Sequence, residues 1–102
     1  MKFVAVTSCP SGVAHTYMSA ESLELSAKKL GIDIKVETQG SSGIENRLNE
    51  AEIKEAACVI LTNDVEIREM DRFKGKKVVQ MGVSDIIKKS DPLLRKLKAT
   101  FE

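Results

Sequence analysis

The sequence predicts an α/β fold of Rossmann-like type, a three-layer sandwich in which a four-stranded parallel sheet has helices on both faces. Short apolar segments rich in β-branched residues alternate along the chain with segments of helical periodicity. Strands separated by helices are typical of right-handed βαβ crossovers, which cover a parallel sheet on both sides. The chain has 102 residues, of which 42% are hydrophobic, so we expect a single domain over residues 1–102.

The first strand and the first helix are predicted from two different periodicities. Residues 2–7 are apolar and β-branched, which is typical of a buried strand, and Ser8-Cys9-Pro10 ends them. The helix is predicted over residues 16–30, before Gly31, a residue type common just after a helix end. One face of this helix repeats at steps of three and four residues and comprises Thr16, Ala20, Leu23, Ala27 and Leu30.

The middle of the chain is predicted to contain an edge strand, a loop and a short helix. Residues 32–37 alternate between apolar and polar types, which predicts a strand with one polar face. Residues 39–43 are rich in Gly and Ser and are expected to form a loop. Asn49, with Glu52 three residues later, resembles a helix N-cap with its capping acid, so a helix is expected through Ala57.

The last third of the chain is predicted to hold two strands and two helices. Residues 58–62 are continuously apolar, as expected of an interior parallel strand, and residues 77–81 form the fourth strand. A short helix is expected over residues 65–73. Asp91-Pro92 predicts the start of the last helix, because Asp is favoured at the N-cap and Pro at the first helical position.

The composition argues against several classes of function. Sixteen Lys and Arg against fifteen Asp and Glu leave a net charge of +1, so no overall field for nucleic acid or an anionic membrane is expected. No apolar run approaches the roughly 20 residues of a membrane-spanning helix, so no insertion into a membrane is expected. Two Cys and one His without close spacing predict neither a disulfide scaffold nor a metal site, and we expect a cytoplasmic location.

The candidate chemistry lies in the turn between the first strand and the first helix. In an open α/β sheet such a turn lies at the carboxyl end of a strand, where ligands bind. Its backbone N–H groups and the helix start favour an anion such as phosphate, and no acidic residue precedes Glu21. The predicted phosphate-binding loop comprises Pro10, Ser11, Gly12, Val13, Ala14, His15 and Thr16.

Cys9 stands at the mouth of this loop and is the candidate nucleophile. The helix start is expected to lower the pKa of its thiol, and a thiolate beside a phosphate site attacks phosphoryl groups. The alternative is a small buried side chain without reactivity.

The spacing of the loop is similar to that of the low-molecular-weight tyrosine phosphatases. In that family a Cys is followed after five residues by Arg and then by Ser or Thr, whereas here Cys9 is followed after five residues by His15 and Thr16. The Arg that clamps phosphate in those enzymes is missing, which counts against hydrolysis. The Asp91-Pro92 pair keeps open a hydrolase related to phosphatases and arsenate reductases, because the phosphatases carry their general acid in such a pair.

A second resemblance covers nearly the whole chain. Residues 9–18 (CPSGVAHTYM) resemble the active-site signature of the fructose-family IIB components of the bacterial phosphoenolpyruvate-dependent sugar phosphotransferase system. The usual family form has Thr in place of Ser11, a change that keeps the hydroxyl. Residues 36–46 (VETQGSSGIEN) resemble a second block of the family, and residues 72–76 (RFKGK) resemble a third.

This resemblance implies a relay of phosphoryl groups between proteins. Cys9 would accept the group from a phosphohistidine on a IIA partner, forming S-phosphocysteine, and pass it to fructose or a related hexose held by a membrane-embedded IIC partner. No nucleotide or other cofactor is implied, and the cytoplasmic protein would meet the membrane transiently through IIC. The resemblance also implies the strand order 2-1-3-4. A non-catalytic module of the same fold that binds a partner is a third hypothesis.

Other residues near the predicted site have a functional and a structural interpretation each. His15 either donates a hydrogen bond to phosphoryl oxygens, or supports the thiolate, or bonds to backbone in the first helical turn. Thr38, Gln39 and Gly40 line the site if the second strand neighbours the first, and otherwise form an ordinary turn.

Residues farther along the chain are expected to have structural roles. Cys58 is expected in the core, with a resolving thiol for Cys9 as the alternative, and Asp64 is expected to cap a helix. A basic run is expected either to be a solvated loop or to dock an acidic partner; it comprises Arg72, Lys74, Lys76 and Lys77.

Overall fold

The chain forms a five-stranded sheet between two layers of helices. A computed structural model describes residues 1–8, 13–40 and 43–102. The strands are β1 (Lys2–Thr7), β2 (Asp33–Gly40), β3 (Gly43–Glu45), β4 (Val59–Thr62) and β5 (Val78–Met81). The helices are α1 (Val13–Leu30), α2 (Glu50–Glu55) and α3 (Val83–Phe101), with a short 3-10 helix, η1 (Met70–Phe73).

β1 lies at the centre of the sheet, whose order is β3-β2-β1-β4-β5. β2, β1, β4 and β5 are parallel, and they correspond to the four predicted strands in the predicted relative order. β3 is an additional antiparallel strand beside β2. The predicted count of four strands, the wholly parallel pairing and the complete order 2-1-3-4 are therefore wrong.

The difference lies in the Gly- and Ser-rich segment that was expected to be a loop. β2 runs on through Gly40, and β3 begins at Gly43, where the two glycines pair across the strands. This pairing satisfies the outer backbone groups of β2, which would otherwise be an open sheet edge. β2 is thus an interior strand, and the predicted loop over residues 39–43 is wrong except at positions 41 and 42, which lie outside the described residues.

Two hydrophobic clusters on opposite faces of the sheet confirm the three-layer architecture. Along β1, Phe3 and Ala5 point into one cluster and Val4 and Val6 into the other, as the alternation of a strand requires. The first cluster joins the sheet to α1 and α3, through residues that include Leu23, Ala27, Ile86 and Leu94. The second joins it to α2 and η1, through residues that include Leu48, Ile53, Ala56 and Phe73.

α1 begins earlier than predicted, at Val13. The apolar face that predicts the helix starts at Thr16, so the residues just before it, among them the exposed Ala14 and His15, carried no periodic signal. Val13, Ala14 and His15, which were expected to precede the helix, therefore belong to its first turn together with Thr16; their assignment to phosphate binding stays a prediction.

α2 confirms the capping prediction. The backbone N–H of Glu52 donates to Asn49 Oδ1 at 2.8 Å, and the backbone N–H of Asn49 donates to Glu52 Oε1 at 2.9 Å. This reciprocal pair satisfies two donors that a helix start leaves free.

α3 consists of two helical segments that meet at a kink. Lys89 has non-helical φ and ψ of −126° and 23°, so the second segment begins directly after it. Asp91 and Pro92 lie in the first turn of this second segment, where Pro92 needs no backbone N–H, so the helix start predicted at Asp91 is confirmed to within two residues. The first segment, from Val83 to the kink, is an addition to the prediction.

The helix predicted over residues 65–73 forms only as η1. Glu69 has a φ of 61°, in the left-handed region, and this conformation interrupts a right-handed helix. Within the described part of the chain, no helix combines the length and the apolar character that crossing a membrane requires.

Candidate functional site

The carboxyl ends of β1, β2 and β4 meet at one edge of the sheet, and α1 begins at the same edge. Thr7 at the end of β1 is in register with Thr38 of β2, and the backbone N–H of Ser8 donates to Thr62 Oγ1 of β4 at 2.9 Å. The segment that joins β1 to α1 contains the predicted nucleophile Cys9 and the loop residues Pro10, Ser11 and Gly12, which lie outside the described residues.

Hydrogen bonds hold both ends of this segment. Thr62 Oγ1 accepts from the Ser8 N–H and donates to the Ser8 carbonyl at 3.1 Å, so one hydroxyl fixes the end of β1. At the other end, Thr7 Oγ1 donates to the Thr16 carbonyl at 3.2 Å, and Ser19 Oγ donates to it at 2.8 Å. The start of α1 is thereby tied to the end of β1, which places its N-terminal N–H groups at this edge.

The first turn of α1 presents a positive electrostatic end without local competition. No acidic residue occurs in this turn, so the partial positive charge of the helix N-terminus is not offset nearby in the sequence. His15 and Ala14 are exposed, whereas Thr16 is buried. His15 is therefore a first-turn side chain accessible from solvent, and Thr16 packs toward the sheet.

The second strand neighbours the first, as the prediction for the three lining residues requires: Thr38 is in register with Thr7, and Gln39 and Gly40 continue β2 beyond that level. Thr38 is buried, and Gly40 is half-buried at the end of β2. Gln39 is only 2% exposed, and its amide pairs with the backbone of Arg68, accepting from the N–H at 2.8 Å and donating to the carbonyl at 3.1 Å. Gln39 therefore joins the end of β2 to the segment after β4.

A fully buried carboxylate, Glu37, lies two residues before Gln39. Arg72 binds it with two parallel hydrogen bonds of 2.7 Å, and the Leu48 N–H and the Gln39 amide donate to it at 2.9 and 2.8 Å. Burial alone would raise the pKa of Glu37, but the donors from Arg72, Leu48 and Gln39 outweigh it, so the pKa lies below its ordinary value. Glu37 is therefore held as a carboxylate.

The hydrogen bonds between Gln39 and the Arg68 backbone hold Arg68 at the carboxyl end of β2. Its side chain is exposed, and one guanidinium nitrogen donates to the Gly40 carbonyl at 3.3 Å. Sequence reasoning missed Arg68 and Glu37, because their positions depend on contacts between β2 and the segment after β4. The alternating pattern had assigned Glu37 only to the polar face of a strand.

Asp64 has the capping role that was expected, but toward a more distant helix. Its carboxylate accepts from the Val83 backbone N–H at 2.7 Å and caps α3. Asp64, which follows β4, therefore stabilises the start of α3.

Asp91 lies where a general acid for this site cannot act. Its carboxylate accepts hydrogen bonds from Ser26 and, at 3.0 Å, from Lys29. Both partners belong to the last third of α1, toward the opposite edge of the sheet. The hydrolase hypothesis therefore loses the acid that supported it.

Cys58 is buried in the core, as predicted. Burial raises the pKa of its thiol to about 11 and outweighs the opposing effect of Lys76. It precedes Val59, which pairs with Val4, so about 16 Å of strand separates its level from that of Ser8. A disulfide needs Cα atoms within about 7 Å, so Cys58 is not placed to resolve the thiol that follows Ser8.

Two members of the basic run, Arg72 and Lys76, have structural partners, whereas Lys74 and Lys77 are exposed. Arg72 binds Glu37, and Lys76 Nζ donates to the Ala56 carbonyl at 2.6 Å, at the end of α2. A groove of about 610 Å³ is lined by residues of α2 and η1 and by Lys74 and Lys76. Among the described residues, no group of His, Cys, Asp and Glu side chains is arranged to hold a metal ion.

Comparison with known proteins agrees with this architecture. A family model described as "PTS system, Lactose/Cellobiose specific IIB subunit" matches residues 4–96. The PTS system fructose-like EIIB component 2 of Escherichia coli is 51% identical over 98 residues, covering 96% of this chain and 92% of the relative. The PTS system fructose-specific EIIABC component of Bacillus subtilis is 48% identical over 95 residues, which are 93% of this chain and 15% of that longer protein.

Solved structures give the same result. A domain of fruA from Bacillus subtilis superposes with a TM-score of 0.86 at 45% identity, covering 97% of this chain and 94% of that one. The Enzyme IIB subunit of the PTS system from Escherichia coli superposes with a TM-score of 0.90 at 35% identity, covering 97% and 92%. The chain therefore belongs to the IIB family of the sugar phosphotransferase system, and it is a fructose-type component with a phosphoryl-transfer role in sugar uptake.

Proposed function

We propose that Cys9 is the acceptor of the phosphoryl group and that residues 1–102 act as one transfer unit. The observation that carries this proposal is the double anchoring of the segment around Cys9, by Thr62 at Ser8 and by Thr7 at Thr16. Along the chain the segment leads directly into α1, whose N-terminal end favours anions. Ser11, Gly12 and the helix N–H groups are the proposed ligands of the phosphoryl oxygens, with exposed His15 beside them.

The proposed reaction consists of two in-line displacements. The Cys9 thiolate attacks the phosphorus of a phosphohistidine on a IIA protein, so that an S–P bond forms, the N–P bond breaks and the imidazole takes the electron pair. A hydroxyl of fructose or a related hexose then attacks phosphorus, the O–P bond forms, and the thiolate leaves as the hydroxyl proton passes to solvent or a base. Neither step changes an oxidation state, and the protein contributes positioning and stabilisation of charge.

One feature of the described residues favours transfer over hydrolysis. Asp91, the carboxylate that the hydrolase hypothesis relied on, is bound to the last third of α1, far from the carboxyl edge of the sheet. Without a carboxylate placed to activate a water molecule, a phosphocysteine is preserved for its next acceptor.

The proposed partners are a phosphorylated IIA protein and a membrane-embedded IIC protein that holds the sugar. Relatives named EIIABC and EIIBC join these components in one polypeptide, which supports direct contact among the three. Cys9 would work on the cytoplasmic side of the membrane, and the protein would reach the membrane through IIC.

Intact-mass measurement tests this function. The protein is mixed with a IIA protein whose histidine has been phosphorylated with phosphoramidate. We expect the mass of one phosphoryl group to be added to the wild type and not to Cys9→Ser. Turnover of an aryl phosphate without IIA would support the hydrolase instead, and neither adduct nor turnover would leave a non-catalytic binding module.

A further inference from the structure

The segment after β4 crosses the carboxyl end of β1 and contains Arg68. β1 lies between β4 and β2 in the sheet, and the segment starts at the end of β4 and reaches Gln39 of β2 through the backbone of Arg68. On the way, Ile67 is buried in the cluster that contains Val6 of β1. The segment therefore spans the carboxyl end of β1, a distance of about two strand spacings, roughly 10 Å.

The end point of this crossing places the Arg68 guanidinium beside the site. Its contact, the Gly40 carbonyl, lies two residues beyond Thr38, which pairs with Thr7. Along the strand direction the contact is thus about 7 Å past the Thr7 level. That level is where the segment around Cys9 leaves the sheet, so an anion bound there lies within reach of a long arginine side chain.

Arg68 differs from Arg72 and Arg47 in having no ion pair with a described carboxylate. Arg72 is bound to Glu37, and Arg47 forms an ion pair with Glu69. No carboxylate in residues 1–8, 13–40 or 43–102 forms a salt bridge with Arg68. Its positive charge is therefore not neutralised by a described partner, while its backbone is fixed by Gln39.

We propose that Arg68 binds the phosphoryl oxygens and so supplies, from the segment after β4, the guanidinium that the loop after β1 lacks. This proposal rests on the proposed function, since it assigns a ligand to the group carried by Cys9. A guanidinium forms two parallel hydrogen bonds with phosphate, and such charge-assisted bonds are stronger than neutral ones. Arg68 would stabilise the charge on the equatorial oxygens during transfer without providing a proton for hydrolysis.

Three variants separate this role from a structural one. Arg68→Gln removes the charge and keeps a donor for the Gly40 carbonyl, and Arg68→Lys keeps the charge but not the two-pronged geometry. Arg95→Gln is the control, because it removes an exposed arginine from α3, outside the site. All three are expected to unfold at the wild-type urea concentration, since the Arg68 backbone, and not its side chain, holds Gln39.

The first measurement needs no partner protein. Inorganic phosphate is titrated against the rate at which iodoacetamide alkylates Cys9, read by mass spectrometry. We expect phosphate to protect the wild type and Arg95→Gln equally, and Arg68→Gln to need about tenfold more phosphate for the same protection. Equal protection in Arg68→Gln, or no protection of the wild type, would overturn the inference.

The second measurement is the rate of transfer from the phosphorylated IIA protein. Arg68→Gln is expected to be about tenfold to hundredfold slower than the wild type, with Arg68→Lys between them. A wild type that takes up no phosphoryl group, although its phosphate protection depends on Arg68, would refute the proposed function and keep the anion site. Transfer by Arg68→Gln at the wild-type rate, with full protection by phosphate, would refute the proposed role of Arg68 and leave the proposed function intact.

Discussion

Glu37 places a negative charge in the interior, where it survives only because of its partners. Its side chain is fully buried, and Arg72, Leu48 and Gln39 supply its donors. An isolated carboxylate in such a place would be strongly disfavoured. The ion pair therefore connects β2 to η1, and through Gln39 it helps to fix the Arg68 backbone at the site edge.

Substitution of Arg72 is expected to lower the stability of the fold strongly, because it leaves the buried Glu37 carboxylate without its counterion. Arg72→Met should lower the free energy of unfolding by about 3–5 kcal/mol. The double variant Glu37→Gln with Arg72→Met should recover part of that loss, since no buried charge remains. Urea unfolding followed by circular dichroism measures both, and a double variant as unstable as the sum of the two single variants would contradict this account.

The Glu37 carboxylate makes the stability of the fold depend on pH. The pKa of Glu37 is below its ordinary value of 4.5 in the folded protein, so its contribution is present above that value and is lost as pH falls through the folded pKa. Glu37→Gln should therefore show a shallower loss of stability than the wild type below about pH 4.5. The slope should not vanish, since Glu52 and Asp91 also have lowered pKa values. Parallel curves from urea titrations at several pH values would argue against Glu37.

The two cysteines are expected to differ in reactivity. Burial raises the pKa of Cys58 to about 11, so near neutral pH its thiol stays protonated and shielded. Iodoacetamide should label native wild type once, at Cys9, and should label Cys58 only after unfolding in urea. Native Cys9→Ser should remain unlabelled, and rapid labelling of its Cys58 would refute the assignment of that thiol to the core.

At the scale of elements, contacts at the starts of α1 and α3 fix these helices at the carboxyl edge of the sheet. α1 is tied to β1 through the Thr16 carbonyl, and α3 is capped from a distance by Asp64. The Asp-Pro pair lies just after the kink at Lys89, in the first turn of the second segment of α3, and Asp91 binds α1. The local signal thus predicts this helix start, whereas the first segment of α3 begins where Asp64, a residue distant in the sequence, caps Val83.

Asp64 offers a test at this scale. Asp64→Ala should destabilise the protein by about 1 kcal/mol, because the Val83 N–H loses its acceptor. Asp64→Asn keeps an oxygen acceptor and should lose much less. Thermal or urea unfolding distinguishes the pair, and equal losses in the two variants would mean that the charge of Asp64 matters more than its cap.

At the scale of the whole molecule, the sheet gathers separate chain segments around the end of β1. The apolar character of β1 and β4 predicts interior parallel strands, and their alternation with helices predicts that the loop after β1 lies at the carboxyl edge. The sequence pattern does not predict β3, because its three residues, Gly43–Glu45, are too few to show an alternation and its pairing depends on β2. Nor does it predict Arg68 and Glu37, whose roles arise from contacts between residues about thirty positions apart.

The most direct test of the account follows a labelled phosphoryl group through the isolated protein. The protein, loaded with radioactive phosphate from IIA and then purified, is mixed with fructose and membranes that contain a IIC protein. We predict that the label maps to the peptide that contains Cys9, passes to fructose only when IIC is present, and is released to water slowly. A label on another residue, or one lost mainly to water under all conditions, would contradict the central claim that Cys9 relays the group.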